Sequence, residues 1–564
     1  MLEGRWEHLR VDVLVVGGGY AGLWAAIRAK EFCSSVLLVD KSFAGKSGHS
    51  YFASGTMMCC LPGDDIDEGV QDIVAGNEWL VDQEMVANVL EGSYERLKDL
   101  ESFGISFRKK EGDYVWTKAR GTKDLKNLWP EHGSAADIMT SLRKVALQKG
   151  VKIINHVFVT DLLKDQNNSV SGVIAIGLYD GAGYLINAKA TVLATNSGGF
   201  RGHHLASDMQ GTGPFMAYEA GARLKNPEFH YINIRPNNHE IEGSGIFPAM
   251  GGRWVNSKKE YYMEKYEPTL GDRAPVYKIV VAAAKEALAG NAPVSIDVQG
   301  LSEDDREKFR LLMMSHGWMP IIHEKLKNEE GYDFLLDNIE WKPAYESNKL
   351  GIDADVRGNS SIPGLFAAGM ARVLGINPFT GWSIASSIWS GYAAGESAGR
   401  YAHDTDYGQL DYGLAKSLHT RFFLPAQKET GINPDRVVYK LQEILFPVDV
   451  LIVMKEENLK SALKRVIALK EEFIGQFKAD DVRGLAKIRE TETMLLAAEM
   501  TLKASLKRQE TRRNIFYRED YPETDNTRWL KWITVTKASG GGMDFAFENV
   551  PFDRYKFKPE ENLG

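Results

Sequence analysis

A chain of 564 residues, 44% apolar and 26% charged, carries enough apolar mass for a large core and about three or four structural units, which excludes disorder as its main condition. Three cysteines exclude a disulfide scaffold and are too few to ligate an iron–sulfur cluster or a cysteine-rich zinc site from within the chain. The formal charge of −8, from 76 acidic and 68 basic residues, gives no basic footprint for nucleic acid. The N-terminal residues include Glu3 and Glu7 where a signal peptide has a basic flank and an apolar run. No stretch reaches the roughly 18 apolar residues of a membrane span, since the nearest, Val11 to Ile27, is broken by Asp12 and glycines. We expect a cytoplasmic protein with reduced thiols and no membrane span.

Taken in chain order, Val11 to Val16 is a short β-branched run that predicts a buried parallel strand. It enters Gly17-Gly-Gly19-Tyr20-Ala21-Gly22 and a helical stretch from Leu23 to Lys30. A second apolar strand, Ser35 to Val39, ends in Asp40. A glycine triad alone would equally fit an ordinary turn, but strand, helix, second strand and terminal acid in register point to a bound dinucleotide. Gly17 permits the tight turn, Gly19 lets backbone approach a pyrophosphate, Gly22 lets helix pack on strand, and Asp40 accepts from a ribose hydroxyl. The helix N-terminus adds unpaired N–H groups and a positive dipole end. Two later segments return as buried strands ending in small residues, Thr191 to Gly199 and Ile362 to Gly369. A single nicotinamide domain has no need of these, whereas an FAD domain interrupted by a substrate domain does. Beyond about Tyr401 the chain is rich in Lys, Glu, Leu and Ala. Asn458 to Phe477 and Thr491 to Arg508 space their apolar residues by three and four, as amphipathic helices do.

The chain resembles the flavoprotein subunits of fumarate reductase and succinate dehydrogenase, with L-aspartate oxidase, and within that superfamily looks most like the adenylylsulfate reductase α-subunit branch. The resemblance is carried by Gly17 to Gly22, Asp40-Lys41-Ser42, Ser47-Gly48-His49-Ser50 with Gly55, Ala194-Thr195, Pro363 to Gly369, Gly381-Trp-Ser383-Ile384, and Gln509 to Arg512 with Tyr517 to Glu523. It implies an α/β architecture in which a Rossmann-like FAD-binding domain (1–227 and 346–400) is interrupted by an α+β capping domain (228–345) and followed by a helical C-terminal domain (401–564). It also implies that the FAD contacts fall on these motif residues, with Phe158, Gly198 and Met370 added. Met370 replaces the acidic residue that usually follows Ala-Ala-Gly and holds the ribityl chain, a loss of about 0.5–1.5 kcal/mol that FAD binding should survive. His49 lines up with the histidine that is covalently attached to flavin in the succinate and fumarate enzymes. The other branches bind FAD without that link, and we expect a hydrogen-bonding His49 lining the cleft.

The family places arginines of the capping domain against the flavin ring, where a guanidinium orients an anion, stabilises charge or delivers a proton. Arg273 lies where fumarate reductases keep their proton-donating arginine, and Arg235 resembles the substrate-binding arginine of the adenylylsulfate reductase branch. The departures are as informative. The first dicarboxylate-binding histidine becomes Asn233, the second becomes Glu346, and the carboxylate-binding arginine falls on Pro378. Three missing ligands argue against succinate or fumarate as substrate, and the histidine of the adenylylsulfate enzyme falls near Asn377. His132, Asn233, Arg235, Arg273, Glu346 and Asn377 remain as candidate catalytic residues. Glu346 is the proton-transfer candidate if buried, because desolvation raises a carboxyl pKa, with pairing to a nearby cation as the competing reading. Cys59 and Cys60 read as small buried hydrophobes before any redox role. Trp116, Trp129 and Trp382 read as core before pocket wall.

The leading expectation is therefore an FAD-dependent oxidoreductase, the catalytic flavoprotein subunit exchanging electrons with a small ferredoxin-like iron–sulfur subunit. A stand-alone oxidase of the L-aspartate oxidase type and a non-catalytic FAD electron-transfer or assembly subunit are the alternatives. Arg235 and Arg273 turned to the flavin would count against the last.

Overall fold

The computed structural model describes residues 6–119, 121–131, 135–202, 209–237, 246–249, 251–314, 319–329, 331, 333, 337, 339–377, 379–513 and 515–559. Strand β1 (Trp6–Val16) is buried from Val13 onward, runs into helix α1 (Tyr20–Ala29), and is flanked by parallel β2 (Val36–Asp40) and β3 (Gly183–Leu193). Val13 sits opposite Val36 on one side and Ala190 on the other, so the β-branched run fills the middle of a sheet covered on both faces. The seven-stranded sheet continues outward from β2 to Lys152–Asn155, and from β3 to the antiparallel pair Val170–Gly177 and Val157–Lys164.

The chain then leaves this sheet and builds a second one. Its strands are β4 (His230–Pro236), Arg253–Val255, Val294–Asp297 and β5 (Glu340–Asn348), in the order β4, β5, Val294–Asp297, Arg253–Val255. Helix Val276–Leu288 packs on this sheet around Trp254, Phe247, Ile296 and Trp341. Strand β5 carries Glu346 and Asn348, so the capping sheet extends past the expected boundary at 345. The chain returns with β6 (Leu365–Ala367), parallel to the end of β3, and helix α2 (Trp382–Asp404). Helix α2 lies against α1 at glycine distance. A Cβ at Gly391 would stand 2.3 Å from the Ala21 carbonyl oxygen, and one at Gly395 would stand 2.4 Å from that of Ala25.

The C-terminal region is helical from Tyr412 to α3 (Val482–Lys507), with Glu456–Phe473 packed along α3 through Leu459, Val466 and Met494. After Arg508 the expected helical domain adds two strands. Lys531–Lys537 and Met543–Asn549 form an antiparallel hairpin across a glycine turn, the second strand placing Met543, Phe545 and Phe547 on one face at period two. The hairpin extends a four-stranded sheet through Leu224–Lys225 and Gly351–Ile352, the two segments that lead into and out of the capping sheet. Among the described residues no helix is long and apolar enough to cross a membrane.

Candidate active site

The first half of the site is the turn between β1 and α1. Gly17 has φ +105°, and a Cβ there would lie 2.6 Å from the Ala194 carbonyl oxygen, while one on Gly22 would lie 1.8 Å from that of Gly17. Only glycine lets β1, α1 and the end of β3 meet here. Gly19, at the N-cap of α1, brings no side chain to the cap, and Tyr20 and Ala21 behind it are buried. The Asp40 carboxylate is fixed by backbone: Oδ2 accepts from Gly18 N and Oδ1 from Ser42 N, both at 2.7 Å. Thr195 Oγ1, beside Ala194, is buried with no hydrogen-bond partner among the described residues. A glycine cradle, an uncapped helix start, an oriented carboxylate and an orphaned hydroxyl form a donor and acceptor set that suits the pyrophosphate and ribose of FAD.

The remaining expected cofactor positions surround that cradle. Ser47 Oγ closes its own turn on the Phe43 carbonyl at 2.8 Å, and Gly48 starts the short helix Gly48–Phe52 that carries half-buried His49 and Ser50. Ser50 Oγ accepts from Tyr20 N at 3.4 Å. Gly55 takes φ +81°. Lys41 Nζ bonds Gln210 Oε1 and, at 3.0 Å, Glu490 Oε1 of α3, which ties the β2 end to the helical region. Gly369 donates its N–H to Ser390 Oγ at 2.9 Å, and Met370 beside it is half-buried. Gly198 donates to Asn348 Oδ1 at 3.1 Å. Phe158 is buried against Phe422. At the start of α2, Ser383 is exposed and Ile384 buried.

The second half of the site lies on the capping sheet. Strands β4 and β5 are antiparallel, with Tyr231 opposite Ser347 and Asn233 opposite Ala344 across an irregularity in register. Alternation puts Tyr231, Asn233 and Arg235 on one face of β4. Glu346 of β5 meets them there: its Oε1 accepts from Arg235 Nε at 2.5 Å and from Asn233 Nδ2 at 3.1 Å, and forms a further ion pair with Arg235 Nη2. Asn233 Nδ2 also reaches Tyr231 Oη at 3.2 Å. Both charged side chains are buried, 8% and 9% exposed. Lys349, just after β5, lies over the Tyr231 ring at 5.2 Å, and burial lowers its ammonium pKa to about 8, partly offset by Glu346.

Three expected catalytic residues thus converge: Asn233, Arg235 and Glu346. Glu346 is buried and is the ion partner of Arg235, the arrangement of the competing reading. Arg273 is exposed on the turn Gly271–Arg273 ahead of the capping helix. Asn377 is fixed elsewhere: its Nδ2 donates to the Gly76 carbonyl at 2.7 Å. His132 and Pro378 lie outside the described residues. Cys59 and Cys60 are buried and burial pushes both thiols up to about 12, which holds them as inert thiols. Trp116 is 42% exposed, while Trp382 is buried with Nε1 on the Leu374 carbonyl at 2.7 Å.

Two further residues shape the site without having been expected. Asn77 Oδ1 accepts from both Ile376 N at 2.6 Å and Asn377 N at 2.9 Å, so one buried amide holds the loop ahead of α2. An asparagine closing a helix is readable, but its partner three hundred residues away is not. Lys349 follows the strand in the polar Glu346-Ser-Asn348-Lys349-Leu-Gly351 string, where nothing local marks it for burial.

A doubly wound sheet with this glycine turn, an inserted capping sheet and a helical C-terminal region define an FAD-dependent oxidoreductase. The FAD binding domain family matches residues 12–384 and the family of the fumarate reductase flavoprotein C-terminus matches 439–563, so the chain belongs to the fumarate reductase and succinate dehydrogenase flavoprotein family. It is 26% identical to a subunit of the fumarate reductase (CoM/CoB) of Methanothermobacter marburgensis, over 94% of this chain and 98% of that one. It is 25% identical to the fumarate reductase flavoprotein subunit of Mycobacterium tuberculosis, over 96% and 98%. Among solved structures it is similar to a variant of FrdA from E. coli quinol fumarate reductase, with TM-score 0.85, 22% identity and 98% and 99% of the two chains covered. Adenylylsulfate reductase of Archaeoglobus fulgidus gives TM-score 0.81 at 20% identity, with 97% of each chain covered. The expected placement specifically beside the adenylylsulfate reductase branch is thus corrected to the broader family, since fumarate reductases match at least as well.

Proposed function

We propose that this chain is the catalytic flavoprotein component of a two-component oxidoreductase that exchanges electrons with a small ferredoxin-like iron–sulfur protein and acts on a substrate other than succinate or fumarate. The observation that carries the substrate half is the buried Arg235–Glu346 pair. A dicarboxylate needs cations that answer both its ends, and here the arginine of the capping face is already answered by a carboxylate from the neighbouring strand. A second carboxylate brought beside Glu346 would meet like charge.

The cradle from Gly17 to Gly22, with Asp40, Ser42, Ser50 and Thr195, would hold the FAD, and Gly369 and Met370 would border it. FAD, when bound, supplies the two-electron chemistry. On the capping face the chain's own residues hold a buried ion pair, Arg235 with Glu346, bonded through Asn233, beside the half-buried Tyr231 ring and Lys349. The partner half of the reading rests on three cysteines that are all buried and on the lack, among the described residues, of any group of three His, Cys, Asp or Glu side chains placed to hold a metal. The relatives named as fumarate reductase subunits agree with a chain that works in a complex.

Purification without oxygen from the native cells tests this. The expected result is a visible spectrum with flavin bands on a broad iron–sulfur absorption, a small second protein on the gel, and no turnover of succinate or fumarate with dye acceptors or donors. Flavin bands alone, with oxygen consumption, would move the oxidase reading to the front. Turnover of either dicarboxylate would overturn the substrate half.

A further inference from the structure

The end of β5 lies against the loop that follows β3, and the contacts run in sequence along both. A Cβ at Gly198 would stand 2.6 Å from Asn348 Nδ2, and one at Gly199 would stand 3.0 Å from the Glu346 carbonyl oxygen. The Phe200 ring lies 5.1 Å from that of Tyr345. Glycine at 198 and 199 therefore lets loop and strand approach this closely. Among the described residues, hydrogen bonds close this seam at Asn348. Its N–H donates to the Gly198 carbonyl at 2.9 Å, and its Oδ1 accepts from Gly198 N at 3.1 Å. Asn348 is fully buried, so water does not compete for either bond. Strand β4 is anchored elsewhere. Glu228, just ahead of it, pairs with Arg508, and His230 Nε2 faces the Leu451 carbonyl, both in the C-terminal region. The two strands that carry the Arg235–Glu346 pair thus hang from different parts of the molecule, and only β5 is bonded to the loop that leaves the cradle at Ala194 and Thr195.

We propose that Asn348 is the positioning residue that registers the capping face on the cofactor. It acts through Gly198. A loop from Ala194 to Gly198 seated on FAD passes its position to β5 through the paired bonds at Asn348, and Glu346, two residues earlier on that strand, takes its place with Arg235 accordingly. The coupling is reciprocal, because a cap that holds the loop in its FAD-bound position must also tighten FAD. The inference rests on the FAD-binding fold and on neither the substrate nor the iron–sulfur partner.

FAD affinity is the readout, titrated into flavin-free protein by quenching of flavin fluorescence. Asn348→Ala leaves the Gly198 N–H without its acceptor and should weaken FAD by about tenfold. Gly198→Ala should weaken it at least as much, because the atoms nearest its Cβ all belong to the Asn348 side chain. The double variant Gly198→Ala/Asn348→Ala removes that clash and should bind FAD more tightly than Gly198→Ala alone, a rescue across the seam that a general loss of structure does not produce. Hydrogen exchange read by mass spectrometry needs only the unaltered protein, should the variants fold poorly. FAD should slow exchange about tenfold in peptides covering 340–348 as well as in those covering 17–22, and Asn348→Ala should lose the first effect while keeping the second. Unchanged FAD affinity in Asn348→Ala, a double variant no better than Gly198→Ala, or cap peptides indifferent to FAD would each overturn the proposal. A missing iron–sulfur partner or turnover of a dicarboxylate would overturn the functional reading and leave this inference standing.

Discussion

Glu346→Gln probes the centre of the capping face. The substitution preserves shape and a carbonyl acceptor but removes the charge that answers Arg235, and both side chains are less than one-tenth exposed. Removing one partner of a buried pair costs about 3–5 kcal/mol, whereas replacing both with apolar residues of similar volume is often near neutral. Glutamine still accepts one hydrogen bond, so a loss of about 3 kcal/mol is expected for Glu346→Gln, and a similar loss for Arg235→Met, which strands the carboxylate. The double variant Arg235→Met/Glu346→Leu should lose about 1 kcal/mol or less. Urea unfolding followed by tryptophan fluorescence reads this, because Trp254 and Trp341 are buried in the capping core with rings 5.8 Å apart. Single variants within about 1 kcal/mol of wild type, or a double variant equal to the sum of the singles, would refute the claim that the two charges answer each other.

Gly22→Ala should yield folded protein largely without flavin, read as the ratio of visible to ultraviolet absorbance, since its Cβ would overlap the Gly17 carbonyl at 1.8 Å; full flavin content would contradict the cradle. Asn77→Ala leaves the Ile376 and Asn377 N–H groups without their acceptor and should cost about 2 kcal/mol, with faster hydrogen exchange at those two amides. His230 is buried with Nε2 facing the Leu451 carbonyl at 2.5 Å, and burial lowers its pKa from 6.5 to about 4. The unfolded chain therefore binds more protons between those values, so stability should fall as pH drops from about 6.5 toward 4, by at most about 3 kcal/mol, and His230→Asn should flatten that slope. An unchanged slope would show that other groups set it.

The doubly wound core was legible because its signals are local. The run from Val11 to Val16, the glycines at 17, 19 and 22, and Asp40 at the end of the next strand all lie within one βαβ unit, and β1, α1 and β2 formed there. The helical spacing from Asn458 likewise matched Glu456–Phe473. Non-local consequences were less legible. Whether Glu346 would be a lone buried acid or an ion partner depended on the register between β4 and β5, strands separated by about a hundred residues of capping chain. The clamp by Asn77 and the glycines of α2 against α1 depend on pairings that no window of sequence contains. The terminal hairpin was hidden by the helical composition before it, and only its second strand, Met543–Asn549, alternates at period two.

That hairpin has a consequence for how the protein is made. Leu224 and Lys225, at the entrance to the capping sheet, pair with Val535 and Thr534, and Trp532 Nε1 reaches the Leu80 carbonyl at 3.1 Å. These partners lie about three hundred residues downstream, so during synthesis the neck of the capping domain stays unpaired until they emerge. Until then the neck is an open sheet edge, the kind of surface proteases and chaperones find. The hairpin is thus a late clasp on the cap, closed by residues far downstream of the sheet it fastens.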